Sequence, residues 1–227
     1  MKKHIPNFIT CLNVFSGCIA VLLAFKGNYQ GAMVAIFIAA LFDFMDGMAA
    51  RLLNAYSPMG KELDSLADVM SFGLAPGAIV FSLLTQATGN EWLPYLAFII
   101  PIFSALRLAK FNLDERQTSS FIGLPTPANA IFWSGLAFSF SAFFIVNGWL
   151  LITLILFFSF LLVAEIPMFS LKFKNTKWAD NKTQFFFLIG CIFILGLFQI
   201  SAFPMLIAWY IFLSIAESLL IKINTKK

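Results

Sequence analysis

The chain has 227 residues, 60% of them hydrophobic and only 11% charged, with a mean hydropathy of +0.89. These values exclude an ordinary soluble protein and describe a polytopic membrane protein made of a single domain, residues 1–227. A net charge of +4 and a pI near 9.0 would point to a polyanionic partner in a soluble chain, but here the charges fall in short connections between apolar runs, so membrane topology accounts for them and no nucleic acid is expected.

Eight apolar segments of roughly spanning length follow one another: 6–25, 31–52, 65–84, 92–108, 124–146, 150–171, 185–200 and 202–221. The predicted fold is therefore all-α, a transmembrane helix bundle of about eight spans. The first segment, behind Lys2, Lys3 and His4, is long for the apolar core of a signal peptide and reads as a span. Interior breakers such as Pro76, Gly77 and Pro101 are tolerated in membrane helices where a neighbour satisfies the released backbone groups. With both termini on one side, Lys2, Lys3, Arg51, Lys61, Arg107, Lys110, Arg116, Lys172, Lys174, Lys177, Lys182, Lys222, Lys226 and Lys227 fall on that side and Lys26 alone on the other. That bias assigns the termini to the cytoplasm. Trp92, Trp149, Trp178 and Trp209 near segment ends read as interfacial anchors, and the basic 172–182 loop suits anionic headgroups of membrane lipids. Cys11, Cys18 and Cys191 lack metal-ligand spacing and read as small buried apolar residues. His4 is the only histidine, which leaves carboxylates to move protons.

Carboxylates at membrane depth are costly unless they pair, hydrate or bind metal. Asp43 and Asp46 are three residues apart at the end of the second segment, and Asp64 and Asp68 are four apart at the start of the third. On helices each pair shares one face. Two such helices joined by a short turn bring four carboxylates together, and their mutual repulsion calls for a cation. All-carboxylate ligation favours magnesium or manganese ahead of calcium, and four carboxylates suffice for two ions, an arrangement suited to phosphoryl chemistry. Gly47 leaves room beside Asp46, Arg51 offers a fixed cation to phosphate oxygens, Gly60 opens the next helix, and Lys61 is a second phosphate contact. Taken singly, Gly47 also reads as a helix-packing glycine, Arg51 as an interfacial cation and Lys61 as a positive-inside charge.

The positions Asp43, Asp46, Gly47, Ala50, Arg51, Gly60, Asp64 and Asp68, with two, two, eight, three and three residues between their elements, match the signature of the CDP-alcohol phosphatidyltransferases. The resemblance implies an integral membrane enzyme whose signature, 43–68, holds divalent cations on its first aspartates and Asp64, lines a cytidine diphosphate site with Gly47, Ala50 and Arg51, and uses Asp68 as general base. A narrower resemblance extends over the first 130 residues. Ile5-Pro6-Asn7 with Thr10, Asn13, Ser16 and Gly17, the run from Ala40 to Phe44, the stretch from Leu63 to Asp68 on to Gly73, the segment from Ala105 to Asn112, and the stretch from Phe121 to Pro127 are similar to the membrane-type phosphatidylserine synthases. Lys110 stands where those enzymes carry arginine. The resemblance implies CDP-diacylglycerol and L-serine as substrates, CMP as product, and an acceptor-side segment at 104–127.

In that reading the serine hydroxyl attacks directly, since no Cys, His or Lys within the aspartate cluster offers a covalent nucleophile. Arg107 is the first choice to bind the serine carboxylate, with Lys110 and Asn112 next. Asn13 and Ser16 either face the nucleotide or join helices by hydrogen bonds. Glu165 and Glu217 lie in apolar segments outside the signature, with structural pairing or a dimer contact set against a functional role. A second copy of the chain is the default partner, and a prokaryotic plasma membrane the expected location. The alternatives are a relative with an ether-lipid donor or another alcohol acceptor, and, in a different class, a divalent-cation transporter, whose acids should lie nearer the bilayer midplane.

Overall fold

The computed structural model describes residues 4–114, 121–171, 175 and 177–224. Of the basic residues allotted to the side of the termini, Lys2, Lys3, Arg116, Lys172, Lys174, Lys226 and Lys227 lie outside the described residues, as do positions 115–120 of the acceptor-side segment. The described residues are all-α apart from one two-residue ladder.

Helices α1 (His4–Phe25) and α2 (Tyr29–Leu52) form a hairpin, with Asn28 Oδ1 accepting from the Gly31 amide at 2.9 Å to cap α2. A short turn leads to α3 (Pro58–Asp68), which starts where Pro58 fits the first turn and Ser57 Oγ accepts from the Gly60 amide at 3.0 Å. The helix then widens into a π-helical segment, Val69–Leu74, before resuming as α4 (Ala75–Ala87). A 3-10 turn precedes α5 (Ile99–Leu113), and α6 (Thr126–Val146), α7 (Gly148–Val163), α8 (Lys182–Phe198) and α9 (Phe203–Asn224) complete the bundle.

Instead of eight spans, the described residues contain six helical stretches long and apolar enough to cross a membrane: His4–Phe25, Tyr29–Leu52, Pro58–Ala87, Leu93–Leu113, Thr126–Val146 and Lys182–Leu220. Two local causes account for the difference. The expected 150–171 segment is helical only to Val163, because Ala164 turns to extended backbone and Pro167–Met168 pairs antiparallel with Phe121–Ile122. The last two expected segments run on as one apolar stretch, interrupted by Gln199 at φ 48° and a 3-10 turn rather than by a polar loop.

The helices turn small and polar residues inward. On α1 the buried positions are Pro6, Thr10, Asn13, Ser16, Gly17, Ala20 and Ala24, whereas Phe8, Phe15, Leu22 and Phe25 are exposed. This fits a lipid-facing surface, where close backbone approach rather than apolar burial holds helices together. Cys11 and Cys18 share that outer face and are exposed, contrary to the buried role expected of them; Cys191 is half-buried. Trp92, Trp149 and Trp178 are exposed near helix ends as expected of anchors, but Trp209 instead packs its ring over Gly190 and stacks on Phe212.

The short ladder is a clasp. Gly123 donates to Ile166 O at 2.9 Å and Leu124 to Leu161 O at 2.9 Å, fastening the start of α6 to the end of α7. Gly123 has φ +79°, and a Cβ there would stand 3.2 Å from both the Leu161 and Ala164 carbonyl oxygens and closer still to that of Leu162. The left-handed conformation alone costs an L-residue about 1–2 kcal/mol. Gly123→Ala is therefore expected to lower the thermal midpoint in detergent by several degrees, while Gly89→Ala, whose surroundings are open, leaves it in place; equal midpoints for the two variants would contradict the clasp.

Candidate active site

The turn between α2 and α3 sets two helix ends side by side and so determines where their acids meet. One oxygen each from Asp43 on α2 and Asp64 and Asp68 on α3 lie within 4.8 Å of one another. Asp46, one helical turn beyond Asp43, stands outside that trio and is the most buried of the four, 6% exposed. The expected quartet is thus three clustered carboxylates with a fourth beside them. Asp46 Oδ2 and Asp68 Oδ1 are buried without a hydrogen-bond partner. Buried acceptor oxygens left without a partner among the described residues, in an all-oxygen donor set, fit a hard divalent cation.

Asp46 and Asp64 also form part of the wall of a cavity of about 550 Å³, within the range typical of small-molecule sites. Its other walls are Pro6, Asn7 and Thr10 of α1, Gly47 and Ala50 of α2, the connecting residues Ala55, Tyr56 and Ser57, and Pro58, Gly60 and Lys61 of α3. Of the seven residues expected on the nucleotide side, five, Gly47, Ala50, Gly60, Lys61 and Arg51, belong to the signature stretch and two, Asn13 and Ser16, to α1. The first four line the cavity directly. Arg51 is exposed at the end of α2, and its Nη2 lies 4.0 Å from where a Gly47 Cβ would stand. Since, among the described residues and outside its own helix backbone, that guanidinium tip is the one neighbour such a Cβ would meet within 4 Å, no helix–helix contact there requires glycine at 47, and its effect is to keep the cavity open. Gly60 differs: a Cβ there would stand 3.1 Å from Asn7 Oδ1 and from Ser57 Oγ, so it permits α1 and α3 to approach closely.

Asn13 and Ser16 do not line this cavity. Asn13 is fully buried and its carbonyl accepts from Ser71 Oγ at 3.0 Å, while Ser16 Oγ donates to Leu12 O in its own helix at 2.9 Å. Of the three residues expected to bind serine, Arg107 alone faces the acids. It is 6% exposed, interacts electrostatically with Asp68, and has its Cζ 5.1 Å from the centre of the Phe111 ring. Lys110 instead donates to Glu165 Oε1 at 3.2 Å, and Asn112 Nδ2 donates to Ser65 Oγ at 2.8 Å, bracing α5 against the residue next to Asp64. Glu165 is therefore a surface ion-pair partner beyond the end of α7, not an acid deep in an apolar segment. Glu217 is half-buried on α9.

Asn7 and Thr10 were not assigned to the site by sequence, yet both line the cavity. The signal was present: polar residues at 7, 10 and 13 mark one face of an otherwise apolar span.

Comparison with known proteins agrees with this geometry. The model of a family described as CDP-alcohol phosphatidyltransferase matches residues 3–161. The chain is 34% identical over 174 residues to a Mycobacterium leprae protein named CDP-diacylglycerol–serine O-phosphatidyltransferase, covering 72% of this chain and 57% of that one. Proteins of the same name are similar in Bacillus subtilis, 36% over 150 residues, covering 64% of this chain and 82% of the relative, and in Helicobacter pylori, 34% over 181 residues, covering 76% and 74%. The match thus spans little more than half the length of the mycobacterial relative.

The three-plus-one arrangement makes a graded prediction for manganese binding, measured by titration calorimetry or by loss of the free-ion paramagnetic resonance signal. Asp64→Ala and Asp43→Ala are each expected to weaken binding at least as much as the loss of an outer-shell partner does, roughly 10- to 100-fold, and Asp46→Ala to weaken it less. Unchanged affinity in Asp64→Ala would rule out the cluster as the cation site.

Proposed function

Because the chain belongs to the CDP-alcohol phosphatidyltransferase family, we propose that it catalyses the transfer of a phosphatidyl group from CDP-diacylglycerol to the hydroxyl of L-serine, releasing CMP. The observation that carries this reading is the adjacency of three things: a cavity lined by Gly47, Ala50, Gly60 and Lys61, a carboxylate cluster that shares Asp64 with its wall, and a buried guanidinium, Arg107, next to Asp68. The names carried by similar proteins in three bacterial genera support the choice of acceptor.

The cytidine and pyrophosphate occupy the cavity, where Gly47 admits the nucleotide and Lys61 and Arg51 meet phosphate oxygens. Asp43, Asp64 and Asp68, with Asp46 beside them, are the residues that hold magnesium or manganese. When bound, such cations neutralise the pyrophosphate and favour departure of CMP. Arg107 orients the acceptor through its carboxylate. Asp68 accepts the proton of the serine hydroxyl as that oxygen bonds to the lipid-side phosphorus, and the bond from that phosphorus to the bridging oxygen breaks, the electron pair leaving with CMP. Proton, bond made and bond broken balance without a covalent enzyme intermediate.

For the topology, Arg51, Lys61, Arg107 and Lys110 gather at the aspartate end, which supports a cytoplasmic site. An eight-pass path with both termini on that side needs α7 to cross as well as α8 and α9. Sixteen residues of α7 reach about 24 Å, and the extended residues after Val163 supply the rest of a hydrocarbon core of about 30 Å.

The test is CMP release by purified protein with CDP-diacylglycerol and manganese, comparing L-serine, glycerol 3-phosphate and inositol. Serine-dependent release that stops on chelation is expected, with Asp68→Asn lowering kcat roughly 10²- to 10⁴-fold. Gly47→Leu, which puts bulk into the cavity and leaves all four acids in the chain, is expected to raise KM for the lipid donor about tenfold or more while manganese binding persists. Turnover with another acceptor alone would overturn the choice of serine.

A further inference from the structure

Beyond residue 161, where the family match ends, the chain returns to the neighbourhood of Arg107. It leaves helical geometry at Ala164 and pairs Pro167–Met168 with Phe121–Ile122. This strap, residues 164–169, is tied to its surroundings from three directions. Lys110 on α5 donates to Glu165 Oε1 at 3.2 Å and to the Val163 carbonyl at 3.5 Å. The Ile166 carbonyl accepts from Gly123, just ahead of α6, at 2.9 Å. From α9 the Tyr210 hydroxyl donates to the Phe169 carbonyl at 3.1 Å, and the Tyr210 ring packs on those of Phe169 and Phe187, 4.9 and 6.0 Å away between centres. Met168, Phe169 and Tyr210 are all buried. Arg107 lies one helical turn before Lys110 on α5, is itself buried, and interacts electrostatically with both Asp68 and Tyr210.

We propose that Tyr210 is a positioning residue for the transfer reaction: acting through Arg107, it steadies the guanidinium with a hydroxyl oxygen whose orientation the strap fixes. The proposal rests on the serine-transfer reading above. A tyrosine hydroxyl has one proton to give and lone pairs to offer. Here the proton goes to the Phe169 carbonyl, so the hydroxyl does not rotate freely, and its oxygen is a fixed negative pole within electrostatic reach of Arg107. In a water-poor interior such a dipole acts more strongly than in water, and it needs no reorganisation when the acceptor arrives. The pull of Asp68 alone would draw the guanidinium onto the carboxylate that serves as the base, and an oxygen on a second helix divides that pull. The Lys110–Glu165 pair, 38% and 67% exposed, is worth little as an ion pair. The buried Tyr210 bond is therefore the tie that matters, and α9 contributes to the site although it carries none of the signature.

The test compares Tyr210→Phe with Tyr29→Phe in the full chain, supplied with CDP-diacylglycerol, manganese and L-serine. Both variants keep the ring and lose one hydroxyl. Tyr29 stands at the opposite end of α2 from the aspartates, its hydroxyl bonded to Ser82 Oγ at 3.1 Å and to Gln86 Nε2 at 2.6 Å. Tyr210→Phe is expected to raise KM for serine about two- to tenfold, the range for loss of one hydrogen bond, while KM for the lipid donor and manganese affinity stay within about twofold. Tyr29→Phe is expected to lower the thermal midpoint to a similar degree and to leave KM for serine in place. A tyrosine that only held the fold together would reduce the amount of active enzyme and so kcat, not KM for serine. A second measurement needs no variant. Because coupling is reciprocal, L-serine is expected to slow amide hydrogen exchange at 164–169 in the manganese-loaded wild type and to leave 82–87 unaffected. If the wild type consumes serine but Tyr210→Phe keeps its KM or shifts that of the donor equally, the reaction reading stands and the role of Tyr210 is wrong. Strap amides indifferent to saturating serine in a protein that turns it over overturn that role as well. If the wild type releases CMP with another alcohol and never with serine, the reaction reading fails and the role of Tyr210 falls with it.

Discussion

Three carboxylates within 4.8 Å of one another, on helices whose outer faces are apolar, repel each other strongly and are poorly screened. The rest of the arrangement follows from accommodating them. They are placed at helix ends, where a cavity supplies access on the side of α1 and the α2–α3 turn, and a buried guanidinium faces them from α5. The Ser57 cap starts α3 at the point that brings Asp64 level with Asp43, and the Asn112 to Ser65 hydrogen bond holds the same helix from the opposite side. An oxygen-only cluster with compensation this incomplete is suited to receive cations.

The packing of the bundle serves the same end. Apolar side chains gain little by leaving lipid for protein, so helices join where small residues let backbones approach and where polar groups meet. Helix α1 shows this along its length, with Gly17 so close to the π-helical segment that an added Cβ would stand 2.9 Å from Ser71 Cα. The inner face that allows this contact also carries Asn7 and Thr10 to the cavity and buries Asn13. Stability and recognition thus draw on the same stripe of residues.

Much of the site was legible in one dimension because its determinants are local. Spacings of three and four residues on helices flanking a short turn suffice to bring Asp43, Asp64 and Asp68 together, and Gly47, Ala50, Gly60 and Lys61 follow from the same geometry. Partners distant in sequence were not legible. Lys110 and Asn112 look like ligands until their partners, 55 and 47 residues away, are seen. The eight expected spans and the six long apolar stretches differ for another reason: hydropathy registers apolar content but not backbone conformation. It does not register the extended turn at Ala164 that stops α7.

The π-helical segment between Asp68 and α4 acts as a phase adjuster. A π turn accommodates more residues than an α turn, so tightening the six residues of Val69–Leu74 to α geometry without losing one would rotate α3 against α4 by about 100°. Helix α4 has no freedom to absorb that rotation, since Ala75 through Val80 are all buried and Gly77 lies hard against Pro101. The turn would be passed to α3 and would swing Asp64 and Asp68 away from α2. The aim of these acids therefore depends on the width of the turns that separate them from a fixed neighbour as much as on their identity, and a substitution in this stretch bears on the site, without touching it, to the extent that it shifts the choice between π and α hydrogen bonding.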